Sequence, residues 1–421
     1  MKYFLNLKKS AFFKNILTAL TGSVFSQLIP IIAAPILTRL YKPSDYGIIA
    51  IYSSITSILF IFVSLQYSQS ILITKTKEEE DNVMAVCYIF TILFSLVLAI
   101  AVTTLQLFKV SFIIDSKLGY WLFLTPVTTL LYGFNTAKIQ LLNKYKLYKG
   151  LSVTQILSSI TSTVISLIVG FTFGGYQGLL LALLISQLAS FISLFHYGKA
   201  HFISYKNISF ERIKDTLKIY KKFPIFSIPT EFLFSWTEQL PIYYFSYKFN
   251  LNVIGYFNYG KKTISLPISL VTSAIGRVFA QNAAEQYNKT GECQTIFIKT
   301  FKLLALPSLP FFIILVIYAP DIFHFIFGKD WVIAGEYVQI LSPMFYLKSF
   351  VSPLSYMYII KQRQGEDLII HIVSFLLICF SFFISYLNKY DIFSTIGLFS
   401  FSYCFIYIYT LIRSYVFAKK S

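Results

Sequence analysis

Val83-Met-Ala-Val-Cys-Tyr-Ile-Phe-Thr-Ile-Leu-Phe-Ser-Leu-Val-Leu-Ala-Ile-Ala-Val-Thr-Thr-Leu-Gln-Leu-Phe108 runs for twenty-six residues without a charge. At about 1.5 Å per residue this stretch forms a helix of nearly 40 Å, longer than a hydrocarbon core of roughly 30 Å. In lipid no water is available to the backbone N–H and C=O groups, so a spanning segment satisfies them internally as a helix. The stretch shows none of the roughly ten-residue polar/apolar alternation that a membrane barrel requires. Its neighbours Ile16–Thr38 and Tyr46–Thr74 are built the same way.

Composition extends this reading to the whole chain. Of its 421 residues, 56% are hydrophobic and only 13% charged, whereas soluble domains average roughly 25% charged. An aqueous surface cannot be made from that supply, but a lipid-facing one can. The basic excess, 36 Lys and Arg against 18 Asp and Glu, reads as the Lys/Arg bias of cytoplasmic loops, not as a nucleic-acid surface. Cys87, Cys293, Cys379 and Cys404 are far apart, with no Cys-x-x-Cys pair, so neither a disulfide framework nor a metal site is expected. No cofactor is expected either. The basic N-terminus before Ile16 resembles a secretory signal, but the run behind it is long and is repeated along the chain, so it reads as an uncleaved first span.

In order, the apolar runs place spans near 16–38, 46–74, 83–108, 119–142, 150–172, 176–198, 223–247, 253–281, 300–318, 337–360, 367–387 and 392–412. The expected fold is an all-α integral membrane protein of about twelve transmembrane helices. With the N-terminus in the cytosol, about 24 Lys and Arg fall on inner segments and about seven (Arg39, Lys42, Lys109, Lys117, Lys248, Lys329 and Lys389) on outer loops, which puts both termini inside. The longest polar stretch, 199–222, divides the chain into an N-terminal six-helix half, 1–198, and a C-terminal six-helix half, 223–421. Such halves are expected to be related by a pseudo-two-fold axis along the membrane normal, with substrate between them. The linker itself reads as a basic amphipathic helix. Ser209 is placed to cap it, Phe210, Ile213, Leu217 and Tyr220 recur at helical spacing, and Lys218, Lys221 and Lys222 suit anionic headgroups.

Ionisable residues inside a span cost roughly 2.5–3.5 kcal/mol or more, so they face a cavity or a partner. Glu231 and Glu238 lie seven positions apart on the seventh span, close to two turns and so on one face. Counted from the cytosolic ends, Glu238 lies at the depth of Lys261 and Lys262 on the eighth span, which allows an intramembrane ion pair or a site for a coupling proton or sodium ion. Lys348 sits mid-span between Pro343 and Pro353. Lys261, Lys262 and Lys348 are expected to make a cationic cavity suited to a phosphate or diphosphate group, with Arg277 and Arg39 as further candidates. Arg277 and Lys138, nearer the cytosolic ends, also fit simple snorkelling to headgroups. Gln27, Gln66, Gln69 and Asn135 would line a polar cavity or bond between helices.

The turn Leu37-Thr-Arg-Leu-Tyr-Lys-Pro-Ser-Asp-Tyr-Gly47, the stretch Phe327-Gly-Lys-Asp-Trp331 with Ala334-Gly335, and Gln339-Ile-Leu-Ser-Pro343 with Ser352-Pro-Leu-Ser355 resemble the bacterial polysaccharide flippases. These O-antigen and capsule exporters are related to the multidrug and toxin extrusion fold. The resemblance extends through the span pattern over essentially the whole chain. It implies a structural turn at Pro43, Asp45, Tyr46 and Gly47, with Asp45 capping the next helix and Arg39 holding a carbonyl or facing the cavity. It further implies a flippase carrying an undecaprenyl-diphosphate-linked oligosaccharide from the cytosolic to the periplasmic leaflet by alternating access. That role belongs to the cytoplasmic (inner) membrane, with a polysaccharide polymerase or glycosyltransferases as possible partners and no nucleic acid. Two other readings share the membrane location. An ion-coupled exporter of drugs or small molecules would favour acids over the lysines seen here. A polymerase or glycosyltransferase would need a larger outer loop than 319–336, which shows no catalytic constellation.

Overall fold

The computed structural model describes residues 11–108 and 118–419, without the side chains of 11–20 and of residue 205. The lysines at 2, 8 and 9, the outer-loop Lys109 and Lys117, and Lys420 lie outside the described residues, as does the side chain of Lys14. Twelve helices of twenty residues or more form most of the described chain, with a short helix in the linker and a single helical turn at Met357–Ile360. Six precede the linker: α1 (Ala11–Leu40), α2 (Pro43–Phe62), α3 (Lys77–Leu107), α4 (Leu124–Lys144), α5 (Tyr148–Thr172) and α6 (Gln177–Tyr197). The linker helix is α7 (Phe210–Ile219). Six follow: α8 (Ile228–Lys248), α9 (Leu251–Thr290), α10 (Gln294–Phe327), α11 (Val332–Leu354), α12 (Gln364–Leu387) and α13 (Ile392–Ala418).

Among the described residues, nine of the long helices are also apolar enough to cross a membrane. The other three, α4, α8 and α11, carry Asn135 and Lys138, Glu231 and Glu238, and Lys348. Helices that hold polar groups toward a protein interior have less apolar surface to present to lipid. The second expected span, 46–74, is not one helix. α2 stops at Phe62, Leu65 and Gln66 adopt left-handed backbone, and a 3-10 turn continues over Tyr67–Ile73. The eighth and ninth spans are longer than expected, because α9 continues to Thr290 and α10 runs from Gln294 to Phe327.

The chain forms two compact units, 1–41 with 48–235 and 42–47 with 236–421. The boundary between these units falls inside α8, and the turn at 42–47 groups with the second unit. Close backbone approach explains that grouping. A Cβ on Gly47 would lie 2.1 Å from the Leu251 carbonyl oxygen, and one on Gly255 would lie 1.8 Å from that of Pro43. Only glycine permits two backbones so near. Tyr46 then reaches an aromatic cluster in the second unit, edge-on to Tyr259 at 4.9 Å and to the fully buried Trp331 at 5.2 Å.

In the first unit the linker helix is fastened to the start of α3. Thr76 caps α3 by accepting the Glu79 N–H at 3.1 Å, and the Glu79 carboxylate accepts from the Lys75 N–H at 2.7 Å. The acids Glu78 to Asp81 thus sit where a helix dipole favours negative charge. They also hold the linker. Arg212 pairs with Glu78 at 2.7 Å, Asn207 donates to Asp81 at 2.8 Å, and the Tyr220 hydroxyl donates to Glu79. Ser209 caps α7 through the Arg212 N–H. Ile213, Leu217 and Tyr220 pack into a core with Tyr67, Val83, Met84 and Cys87. The expectation that this face lies in lipid is corrected: the protein covers it, and of the four residues only Phe210 remains exposed.

Candidate functional site

In the second unit, four helices bring polar groups together. Lys261 of α9 pairs with Glu238 of α8 at 2.7 Å, and both side chains are largely shielded. Lys348 of α11 lies within electrostatic range of this pair, its ammonium 5.8 Å from the Phe345 ring centroid. Tyr403 and Tyr407 of α13 also lie within electrostatic range of Glu238. One carboxylate with two ammonium groups in its range leaves a net positive charge, which in a low-dielectric interior attracts an anion strongly. The two tyrosines are four residues apart on one helix face, a spacing readable in sequence but hidden among the chain's 31 tyrosines.

The other candidates lie apart from this cluster. Lys262 is exposed, about 100° round the helix from Lys261, and no ion pair to it occurs among the described residues. Arg277 is exposed sixteen positions further along α9. Arg39 is exposed in the first unit, at the end of α1, where its guanidinium donates to the Pro35 carbonyl. Glu231 is exposed on the same helix as Glu238, and it groups with the first unit whereas Glu238 groups with the second.

The polar residues of the first unit are engaged locally. Gln66 donates to the Ile61 carbonyl at 3.1 Å and accepts from Gln69 at 2.8 Å, so both amides brace the break after α2. Asn135 donates to the Gln187 carbonyl at 3.0 Å, joining α4 to α6. Gln27 Oε1 is buried with no hydrogen-bond partner among the described residues. Asp45 accepts from the Lys42 N–H at 2.9 Å, the reach-back half of a capping box at the start of α2.

Two features escaped the sequence reading. The acid run Glu78–Asp81 was not among the candidates, yet Glu80 and Asp81 are fully buried. Glu80 accepts from Lys144 and from Lys77 at 2.6 Å each, and from the Tyr145 hydroxyl at 2.9 Å. Lys138 does not snorkel. It is 1% exposed, its ammonium 4.8 Å from the Phe195 ring and 4.9 Å from the Phe202 ring, with no hydrogen-bond partner among the described residues. Cation–π attraction replaces the headgroup contact. The four cysteines are free, and no cluster of three metal-ligating side chains occurs among the described residues.

This arrangement of long helices is known from transporters. The structure described as lipid II flippase MurJ, inward closed conformation, superposes with a TM-score of 0.74 at 15% identity, over 96% of this chain and 90% of that one. An inward-facing multidrug resistance MATE family transporter of the MOP superfamily superposes with a TM-score of 0.65 at 15% identity, over 92% and 93%. The outward-facing conformation of such a transporter gives 0.60 at 15% identity, over 96% and 94%. The chain thus has the helical fold that MATE transporters and MurJ share. No curated protein sequence matches it. A family profile described as polysaccharide biosynthesis protein matches residues 36–336, and the chain belongs to that family.

Proposed function

We propose that this protein is a flippase for an undecaprenyl-diphosphate-linked oligosaccharide, carrying it across the cytoplasmic membrane by alternating access during O-antigen or other surface polysaccharide biosynthesis. The observation that carries this reading is the net-positive cluster of Glu238, Lys261 and Lys348 where four helices converge. A diphosphate is the anionic part of such a substrate, and a spare ammonium in a shielded site is suited to it. Family membership supports the polysaccharide setting, and the fold shared with MurJ, whose description names a lipid-linked cargo, supports a lipid-linked one. In this reading Lys348 supplies the charge that Lys261 gives to Glu238, and Tyr403 and Tyr407 offer hydroxyl donors beside it. Glu238 exchanging Lys261 for a proton or a sodium ion would couple the cycle to a gradient. Polymerases or glycosyltransferases acting on the same lipid are the natural partners, and both termini are cytosolic.

The test is surface glycan in a strain dependent on this protein. Lys348→Ala and Lys261→Ala should each lower surface glycan at least tenfold at normal protein level, with lipid-linked repeat units accumulating inside. Unchanged glycan with both variants would remove the cluster from the reading. Glu238→Gln should alter the dependence of transport on pH or sodium, and an unaltered dependence would remove the coupling role.

A further inference from the structure

At one end of the second unit α10 begins and α13 finishes side by side, the Cys293 N–H donating to the Ala418 carbonyl at 2.9 Å. Just inside this end the two helices leave an apolar cleft of about 380 Å³, lined by Phe297, Phe301, Leu411, Ile412 and Tyr415 with Lys302 as its cation. That volume falls in the range of small-ligand sites. Lys302 is exposed, and no carboxylate pairs with it among the described residues. Lys419 stands 4.7 Å above the Tyr415 ring, and the Tyr415 hydroxyl is already held by Gln294 at 2.8 Å. Among the described residues the cleft therefore combines an apolar slot with two cations that no carboxylate pairs, and its tyrosine hydroxyl already accepts from Gln294.

A second cleft flanks α13 on its α12 side, about 360 Å³ and lined by Ile369, Val373, Phe405 and Tyr409 with Glu366. Its nearest cation, Arg413, is bound to Glu366 at 2.6 Å. The two clefts are alike in size and apolarity and differ in free charge. We propose that the α10–α13 cleft is a binding site for an anionic phospholipid, one acyl chain in the slot and the phosphate between Lys302 and Lys419. Lysine side chains near a helix end extend toward the headgroup layer, which brings the Lys302 charge to the phosphate from its position about 13 Å along α10. A zwitterionic lipid presents an ammonium to the same lysines and gains less from them.

Full-length protein stripped of lipid in detergent is loaded with phosphatidylglycerol or phosphatidylethanolamine of identical chains and read by native mass spectrometry. Phosphatidylglycerol should be retained roughly 30-fold better, from about 1 kcal/mol for each of the two lysines near the surface. The Lys302→Gln/Lys419→Gln variant should lower its retention to that of phosphatidylethanolamine. Both lysines are exposed, so the fold is preserved. Ile412→Trp, at an exposed cleft residue, should reduce retention of both lipids by filling the slot. Equal retention of the two lipids by the parent, or no loss in the lysine variant, overturns the proposal. Displacement of phosphatidylglycerol by millimolar inorganic phosphate assigns the lysines to free phosphate instead. Preferential retention of undecaprenyl phosphate assigns the slot to the tail of a polyprenyl carrier. Either result also overturns it.

Discussion

Replacing Glu80 with glutamine preserves the shape of a fully buried side chain and removes the charge that Lys144 and Lys77 each meet at 2.6 Å. Breaking a buried ion pair from one side costs about 3–5 kcal/mol, because the surviving charge is left without its partner. The surroundings reduce that figure. Lys77 is 43% exposed and keeps Asp81 at 2.9 Å, so it is not stranded. Lys144 is only 18% exposed and retains only neutral contacts, the Thr74 hydroxyl at 2.6 Å and the Tyr145 ring at 5.7 Å. One stranded ammonium in place of two gives a loss of about 2–3 kcal/mol. At about 2–4 °C per kcal/mol for a body of this size, the melting midpoint should fall by roughly 5–10 °C.

Thermal unfolding of the purified protein in detergent at neutral pH measures this shift. Two companion variants isolate the cause. Lys289→Gln, which breaks the exposed pair with Glu285, should barely move the midpoint. Glu80→Gln combined with Lys144→Met should recover more than half of the loss, because the stranded charge is then gone. A midpoint for Glu80→Gln within 2 °C of the parent, or a double variant no better than the single one, would refute the reasoning.

The remaining predictions probe packing and buried charge. Gly255→Ala puts a Cβ 1.8 Å from a backbone carbonyl that cannot turn aside, and should cost about 1–3 kcal/mol or more in a melting assay; Gly365→Ala, where a Cβ meets nothing within 4 Å, should cost nothing. Equal effects at the two glycines would contradict the close approach of α9 to the turn at 42–47. Lys138→Met should leave the midpoint unchanged or raise it, since an apolar side chain of similar length replaces a charge enclosed by two rings. A fall of more than about 3 °C would mean that the charge itself stabilises the fold.

Much of the fold was legible because lipid imposes it. Run length and the absence of charge identify spans without knowledge of their neighbours, and the long polar stretch at 199–222 separates six long helices from six. Counting depth at 1.5 Å per residue put Glu238 and Lys261 at one level, and they lie 2.7 Å apart. The glycine and tyrosine of the turn at 43–47 stood out in the sequence, although their seat against Leu251–Gly255 did not.

Where periodicity names a face, it does not name what covers that face. Ile213, Leu217 and Tyr220 were equally suited to lipid and to protein, and packing against Tyr67 and Met84 decided for protein. The same ambiguity concealed Glu80 and Lys138. A run of acids beside lysines is usually a solvated surface, and a lysine near a span end usually reaches headgroups. Only the assembled helices show Lys144 and Tyr145 closing over Glu80, and Phe195 and Phe202 closing over Lys138. Sequence alone determined the helices, their number of long runs and the depth of their charges, because these follow from one chain's solubility in lipid. The tertiary structure decided which charges are paired and which faces are covered, because both depend on groups distant in sequence meeting in space.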